Sequence, residues 1–370
     1  MEDLSQRFPL VARIIFNNLD NESLTKIGDV SRPMNKFLDQ ERIYWLRILG
    51  KYKKNFIQFE EAWKISVRQT PVGVIKEMAI AVNQFFNVPV SRFDRQWSPL
   101  HIAAEHGSLQ LYQYISNKTG IINSAQPDEC TPLHLVAQEG NLDIVKFIIN
   151  QLISNNQVDI NPRGKDGFTP LHIAAQKGHL EVCKTILEFI NDNIDEFWKN
   201  TNHDNDKNPG NKWNTTPLHQ AADEGHLEVC RLFLMELKDK NPRDGIDTEG
   251  LTPLHYAARQ GHLSVVKLFI HYRIEKNILD GVGFTPLHYA ADEGHLETCK
   301  FLMEDNLDKN PADTRGWTPL HLAAKNLHLG VCQEILKHLT DKHPKTNNGT
   351  TPLQWMEKAK ALGGIIKTNK

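Results

Sequence analysis

The sequence predicts an all-α protein, most of it a solenoid of stacked helical hairpins, on three observations. A tetrad Thr-Pro-Leu-His, or a near copy, begins at Ser98, Thr131, Thr169, Thr216, Thr252, Thr285, Thr318 and Thr351, with spacings of 33, 38, 47, 36, 33, 33 and 33 residues. Small residues, usually Ala-Ala, follow the tetrad, and a glycine comes shortly after, as at Gly140, Gly178, Gly225, Gly261 and Gly294. An apolar stretch at helical spacing then closes the unit, as in Leu263-Ser264-Val265-Val266-Lys267-Leu268-Phe269. A unit this short cannot bury its apolar face alone, so copies in series imply a stack in which each covers its neighbour.

Each element has a physical reason. Thr caps the first helix and Pro fits its first turn, where an N–H has no helical partner and the fixed φ is already helical. Leu and the small pair face inward and let neighbouring helices approach closely. The glycine ends the helix in a left-handed conformation, and the second, apolar helix follows. Between copies, a turn such as Asp313-Thr314-Arg315-Gly316 forms a hairpin. With Phe284-Thr285-Pro286-Leu287-His288-Tyr289-Ala290-Ala291 and Gly294-His295-Leu296-Glu297, the period of 33 resembles the ankyrin repeat. The resemblance spans residues 94–370 and implies helix-turn-helix units with projecting hairpins and a variable surface that binds proteins.

Departures from the pattern carry expectations of their own. The turn glycine present at Gly167, Gly250, Gly283, Gly316 and Gly349 is replaced by Gln96, Glu129 and Asn214 in three copies. Glu and Gln tolerate positive φ poorly, so the first two hairpins are expected to be irregular. The eighth copy, Thr351-Pro352-Leu353-Gln354-Trp355-Met356-Glu357-Lys358, loses the His and the Ala pair and reads as a polar C-terminal cap. Insertions follow the second helices of copies two, three and four, the largest within Asn191 to Asn214. Asp204, Asp206 and Asn208 there suggest a calcium loop, but Pro209 and Thr215 stand where such a loop needs Gly and Glu, so a solvated loop is expected.

Upstream of the array, residues 1–50 carry short helical patterns broken by turn signals. Phe8-Pro9, Ile15-Phe16, Leu19-Asp20, Leu24, Ile27, Val30-Ser31-Arg32 and Trp45 arrive in the order of an F-box, which this stretch resembles over about forty residues. The resemblance implies that Phe8, Pro9, Ile15, Leu19, Leu24, Val30 and Trp45 contact a Skp-type adaptor of a cullin–RING ubiquitin ligase. Three departures stand against it: a spacing from Phe8 to Leu19 one residue short, Met34 in place of Trp, and no acid after Pro9. The alternative is an N-terminal cap packed on the array. Residues 51–93, with Phe59-Glu60-Glu61-Ala62-Trp63-Lys64-Ile65 and Val72 to Phe86 at helical spacing, read as linker helices covering the first repeat.

Composition narrows the function. Lys and Arg number 43 against 45 Asp and Glu, a formal net charge of −2, so nothing in the balance points to nucleic acid or to an anionic membrane. With 40% hydrophobic and 24% charged residues the chain is not of the disordered class, and no apolar run reaches the roughly 18 residues of a bilayer span. The acidic start, Met1-Glu2-Asp3-Leu4-Ser5, lacks the order of a secretory signal, so a cytoplasmic or nuclear location is expected.

Cys183, Cys230, Cys299 and Cys332 fill one slot of the second helix that Val145 and Val266 fill elsewhere, the behaviour of a small buried hydrophobe. Of the 17 histidines, seven belong to the tetrads and His179, His226, His262 and His295 follow the repeat glycine. The remaining His106, His203, His271, His328, His338 and His343 show no ligand spacing. No cofactor, metal or catalytic residue is expected, and the protein is read as no enzyme.

The expected function is that of a substrate receptor, the F-box docking on the adaptor and the array holding the target. A plain scaffold or sequestering protein is the alternative, and a monomer is expected outside the complex. On the concave face that the resemblance implies, Trp213, Tyr256, Phe284, Tyr289 and Trp317 are candidate target contacts, with Arg259, Asp292, Glu293 and Arg315 as a charged rim.

Overall fold

The computed structural model describes residues 99–357 apart from 124, 126–128, 156–160, 198–206, 246–249 and 305–307. Gln96, Trp198, the linker residues 51–93 and all seven candidate adaptor contacts lie outside the described residues. The chain divides into two compact units, 1–165 and 166–370. In the first stand α1 (Pro99–His106), α2 (Leu109–Thr119), α3 (Pro132–Glu139) and α4 (Leu142–Ser154). The second holds α5 (Pro170–Lys177), α6 (Leu180–Phe197), α7 (Pro217–Asp223), α8 (Leu227–Glu236), α9 (Pro253–Arg259), α10 (Leu263–His271), α11 (Pro286–Asp292), α12 (Leu296–Met303), α13 (Pro319–Lys325) and α14 (Leu329–His338), then a helical turn over 352–357.

Within each unit the first helices pack on first helices and the second on second: α1 on α3, and α5, α7, α9, α11 and α13 in series, backed by α6, α8, α10, α12 and α14. The small pairs make this possible. Ala103-Ala104, Ala174-Ala175, Ala221-Ala222, Ala257-Ala258, Ala290-Ala291 and Ala323-Ala324 are wholly buried. The Cys/Val slot behaves as expected at Val145, Cys183, Cys230, Val266, Cys299 and Cys332, all buried. Burial pushes the Cys183 and Cys299 thiols up to about 12 and Cys332 to about 11, which leaves them inert at neutral pH. In copy one the same slot holds Tyr112, equally buried, whose hydroxyl donates to the Ile122 carbonyl at 2.5 Å and so satisfies its one polar atom.

The repeat glycines answer two demands at once. Gly178, Gly225, Gly261 and Gly294 have φ between +76° and +83°, and a Cβ on any of them would lie 2.4–2.5 Å from Nδ1 of the histidine that opens the next copy's second helix. Those histidines, His226, His262, His295 and His328, each donate from Nε2 to a carbonyl of the preceding copy, Gln176, Asp223, Arg259 and Asp292, at 2.9 Å. His328, which showed no role in the sequence, therefore belongs to this series. In copy seven the glycine's place is taken by Leu327 at φ 62°. No comparable histidine follows it in copy eight, where Ala361 holds that place.

Two expectations need correction, those for the Glu129 turn and for the largest insertion. Glu129 adopts φ 61°, the conformation of the turn glycines, despite its side chain. The hairpins are tight turns with no β-ladder among the described residues: the Gly316 N–H bonds the Asp313 carbonyl at 3.0 Å and the Asp313 N–H the Trp317 carbonyl at 2.7 Å. Nor is the largest insertion a loop throughout. Its first residues, through Phe197, lengthen α6 to 18 residues, and Asn208 is buried, accepting from the Leu218 N–H at 3.1 Å. Asn310 and Asn123 do the same for Leu320 and Leu133 at 3.0 Å, so this Asn is part of the repeat rather than a calcium ligand.

Candidate protein-interaction surface

The tetrad histidines come first, because they look most like chemistry. In copies two to seven the backbone N–H of the tetrad Thr donates to the imidazole Nδ1 at 3.0–3.3 Å. A backbone N–H only donates, so Nδ1 carries no proton. Nε2 of His172, His219, His288 and His321 faces the next hairpin's carbonyl, of Thr215, Leu251, Trp317 and Thr350, at 2.9–3.3 Å, and must therefore donate. Both nitrogens are satisfied only in the neutral ring. Burial accordingly lowers His219, His255 and His288 to about 4 and moves His321 in the same direction. Among the described residues no group of three or more His, Cys, Asp or Glu side chains is placed to hold a metal.

The hairpins are held by a residue that the sequence reading passed over. Five positions before the tetrad Thr, Oδ1 of Asp280 accepts from the N–H groups of Val282 and Phe284 at 2.9 and 2.8 Å, and Asp313 does likewise for Arg315 and Trp317. Asn211 does the same for Trp213 and Thr215, at 2.9 and 3.0 Å. The second carboxylate oxygen then reaches a candidate contact residue. Asp280 accepts from the Tyr289 hydroxyl at 2.7 Å, and Asp244, in a hairpin lengthened by an insertion, from the Tyr256 hydroxyl at 2.5 Å. An Asp or Asn five before the Thr was the readable signal.

Tyr256 and Tyr289 occupy one position on α9 and α11 and are half-buried, each ring edge-on to the tetrad histidine of the preceding copy, His219 or His255, at 5.3 and 5.6 Å. Arg259 lies over the Tyr256 ring at 4.7 Å and bonds Asp223 at 3.3 Å. Phe284 stacks on His288 at 4.7 Å and meets Tyr289 edge-on at 5.7 Å. Arg315 is tied to the buried Asp313 at 3.1 Å, its guanidinium 6.0 Å from the Phe284 ring. Trp317 is half-buried between His321 and Trp355, with Lys325 Nζ 5.8 Å from its ring. Trp213 is 45% exposed beside Phe168, and Lys212 bridges it to Asp166. Asp292, its carboxyl raised by burial, accepts from Asn326 at 2.8 Å, and Glu293 is exposed at the end of α11. Thus Arg259 and Tyr256 form one contact pair, and Phe284, Tyr289 and Arg315 a second group, whereas Trp213 is joined to Phe168 of copy three.

Helical hairpins knitted by neutral histidines, with the variable side chains left along the first helices and hairpin tips, define a repeat scaffold for protein–protein contact. Family models bear this out: one described as ankyrin repeats (3 copies) matches residues 74–159, 100–197, 147–244, 190–280 and 236–313, and one described as ankyrin repeat matches 315–347. The chain belongs to the ankyrin-repeat family, whose repeats support a role in protein–protein interaction. The first match begins within the segment expected to be linker. A search of curated proteins found no match. Among the described residues no helix is long and apolar enough to cross a membrane.

Proposed function

We propose that the array holds a target protein for a cullin–RING ubiquitin ligase, residues 1–50 docking on the Skp-type adaptor. The observation that carries the target-binding half is the set of side chains left half-exposed along α9 and α11 and their hairpins: Tyr256, Tyr289, Phe284 and Arg259, with Arg315 beside them. Aromatic residues and Arg supply most of the energy at protein interfaces. The adaptor half is supported by the ordered sequence pattern from Phe8-Pro9 through Val30-Ser31-Arg32 to Trp45. In this role the protein contributes proximity, bringing a target lysine to a thioester carried by the ligase's conjugating enzyme.

Two measurements separate the halves. Co-expressed with the adaptor, the chain should co-elute with it, and Pro9→Ala with Leu19→Asp should abolish recovery while the array's circular dichroism is unchanged. Tyr256→Ala with Tyr289→Ala should weaken target binding by more than about 2 kcal/mol and leave adaptor recovery intact. A wild-type chain that never co-elutes favours the second reading, a scaffold outside any ligase whose N-terminal helices are a cap. The ankyrin matches reaching back to residue 74 support that reading.

A further inference from the structure

Tyr256 and Tyr289 are each closed into a circuit that begins at the tetrad histidine of the preceding copy. Nε2 of His219 donates to the Leu251 carbonyl at 3.1 Å, the Leu251 N–H donates to Oδ1 of Asp244 at 2.6 Å, and Oδ2 of Asp244 accepts from the Tyr256 hydroxyl at 2.5 Å. The Tyr256 ring then meets the His219 imidazole edge-on at 5.3 Å. One copy further the order repeats. Nε2 of His255 faces the Phe284 carbonyl at 3.3 Å, with the Ile278 carbonyl at 3.1 Å, and the Phe284 N–H donates to Oδ1 of Asp280 at 2.8 Å. Oδ2 of Asp280 accepts from the Tyr289 hydroxyl at 2.7 Å, and the Tyr289 ring lies edge-on to His255 at 5.6 Å. In both circuits one hairpin residue serves the histidine with its carbonyl and the aspartate with its N–H.

The same hairpin links recur where no tyrosine stands. His172 bonds the Thr215 carbonyl at 2.9 Å and the Thr215 N–H bonds Asn211 at 3.0 Å, but Gln220 occupies the tyrosine's position. His288 bonds the Trp317 carbonyl at 3.3 Å and the Trp317 N–H bonds Asp313 at 2.6 Å, but Leu322 occupies it. Oδ2 of Asp313 accepts from Arg315 instead, at 3.1 Å. The links thus hold the hairpins of copies four to seven, and in copies five and six they also reach a tyrosine of the candidate target row.

Resting on the reading of Tyr256 and Tyr289 as target contacts, we infer that His219 and His255 are positioning residues of that surface. Each fixes its tyrosine from two sides, the ring by direct contact and the hydroxyl through the hairpin and its aspartate. Both histidines are 0% exposed, so neither touches a target. Their effect on binding passes through the tyrosines. A side chain whose rotamer is set before the encounter loses less freedom on binding, and packing with hydrogen bonds from a supporting shell is what holds a site in its productive geometry.

Glutamine is the substitution that tests this, since Gln354 stands natively at the tetrad His position of copy eight and still accepts from the Thr351 N–H at 3.0 Å. H219Q and H255Q keep the helix cap and lose the ring. H172Q makes the same cut in copy three, where no tyrosine follows one copy on, and so measures the cost to the fold alone. The probe is a peptide selected on the full chain from a random display library and shown to lose binding in Tyr256→Ala with Tyr289→Ala. H219Q and H255Q should each weaken it by about fivefold or more, while H172Q, with a similar loss in melting temperature, leaves it within about twofold. Without any peptide, fluorotyrosine in the full chain gives fluorine resonances for Tyr256 and Tyr289. Ring flipping read from their line shapes should quicken for Tyr256 in H219Q and for Tyr289 in H255Q, and not in H172Q. Equal weakening by H172Q would show that the histidines act only through the fold, which overturns the inference. Unchanged line shapes, or a peptide that needs both tyrosines yet ignores H219Q and H255Q, would overturn it while leaving target binding by the tyrosines standing. A selection that never yields a tyrosine-dependent peptide would overturn both.

Discussion

A neutral imidazole wedged between a backbone N–H and a carbonyl makes the fold sensitive to acid in a defined direction. His219, His255 and His288 are held near 4 by burial, whereas in the unfolded chain each titrates near 6.5. Below about pH 6.5 the unfolded chain takes up protons that the fold refuses, so stability falls with pH until the folded value near 4 is passed. Each of these histidines should cost about 1.4 kcal/mol per pH unit in that window and nothing above pH 7. Urea midpoints at pH 7, 6 and 5 would check this, and a flat profile would mean that the rings are protonated in the fold. The tetrad His was readable as a structural residue from its recurrence. Its tautomer was not, because that depends on which atoms of the next copy face it.

At the scale of the element, the joint between two helices and the hairpin turn give glycine two roles. A Cβ on Gly261 would lie 2.4 Å from His295, while one on Gly349 would meet nothing within 4 Å, though both have φ of +76°. Gly349→Ala should therefore cost only the left-handed strain, about 1–2 kcal/mol. Gly261→Ala should cost about 1–3 kcal/mol more, the scale of overpacking, because His295 must move and its bond to the Arg259 carbonyl is at stake. Equal melting temperatures for the two variants would contradict this. Leu327, at φ 62° and 44% exposed, offers the converse: Leu327→Gly should stabilise by about 0.5–1 kcal/mol in thermal or urea unfolding. Copy eight shows how little of the motif a helix start needs. Gln354 replaces the tetrad His, and its Oε1 accepts from the Thr351 N–H at 3.0 Å, keeping half of a capping box.

At the largest scale, cohesion within residues 166–370 passes from copy to copy through bonds between neighbours, as when the Asn347 N–H bonds the Arg315 carbonyl at 3.0 Å and the Gly245 N–H the Trp213 carbonyl at 2.7 Å. Helix ends are closed in the same way: Lys276 of one copy caps the Phe301 and Glu304 carbonyls of the next at 3.3 and 2.9 Å. His172, His219, His255, His288 and His321 of the tetrads and His226, His262, His295 and His328 bond carbonyls, and the recurring cysteines fill core volume, so stability should be indifferent to chelators. A loss of several degrees in melting temperature in EDTA would show a metal contribution.

Period, caps, inward alanines and glycine joints could be read along the chain because each is a local answer to a local demand, repeated until its spacing is unmistakable. Tertiary structure decided what depends on the neighbouring copy. It gave His226, His262, His295 and His328 their carbonyls and turned part of the Asn191 insertion into helix. It also showed that the Tyr256 and Tyr289 hydroxyls are committed to Asp244 and Asp280. A side chain's partner across a stack is set by the packing of two copies, and one copy's sequence does not contain that distance.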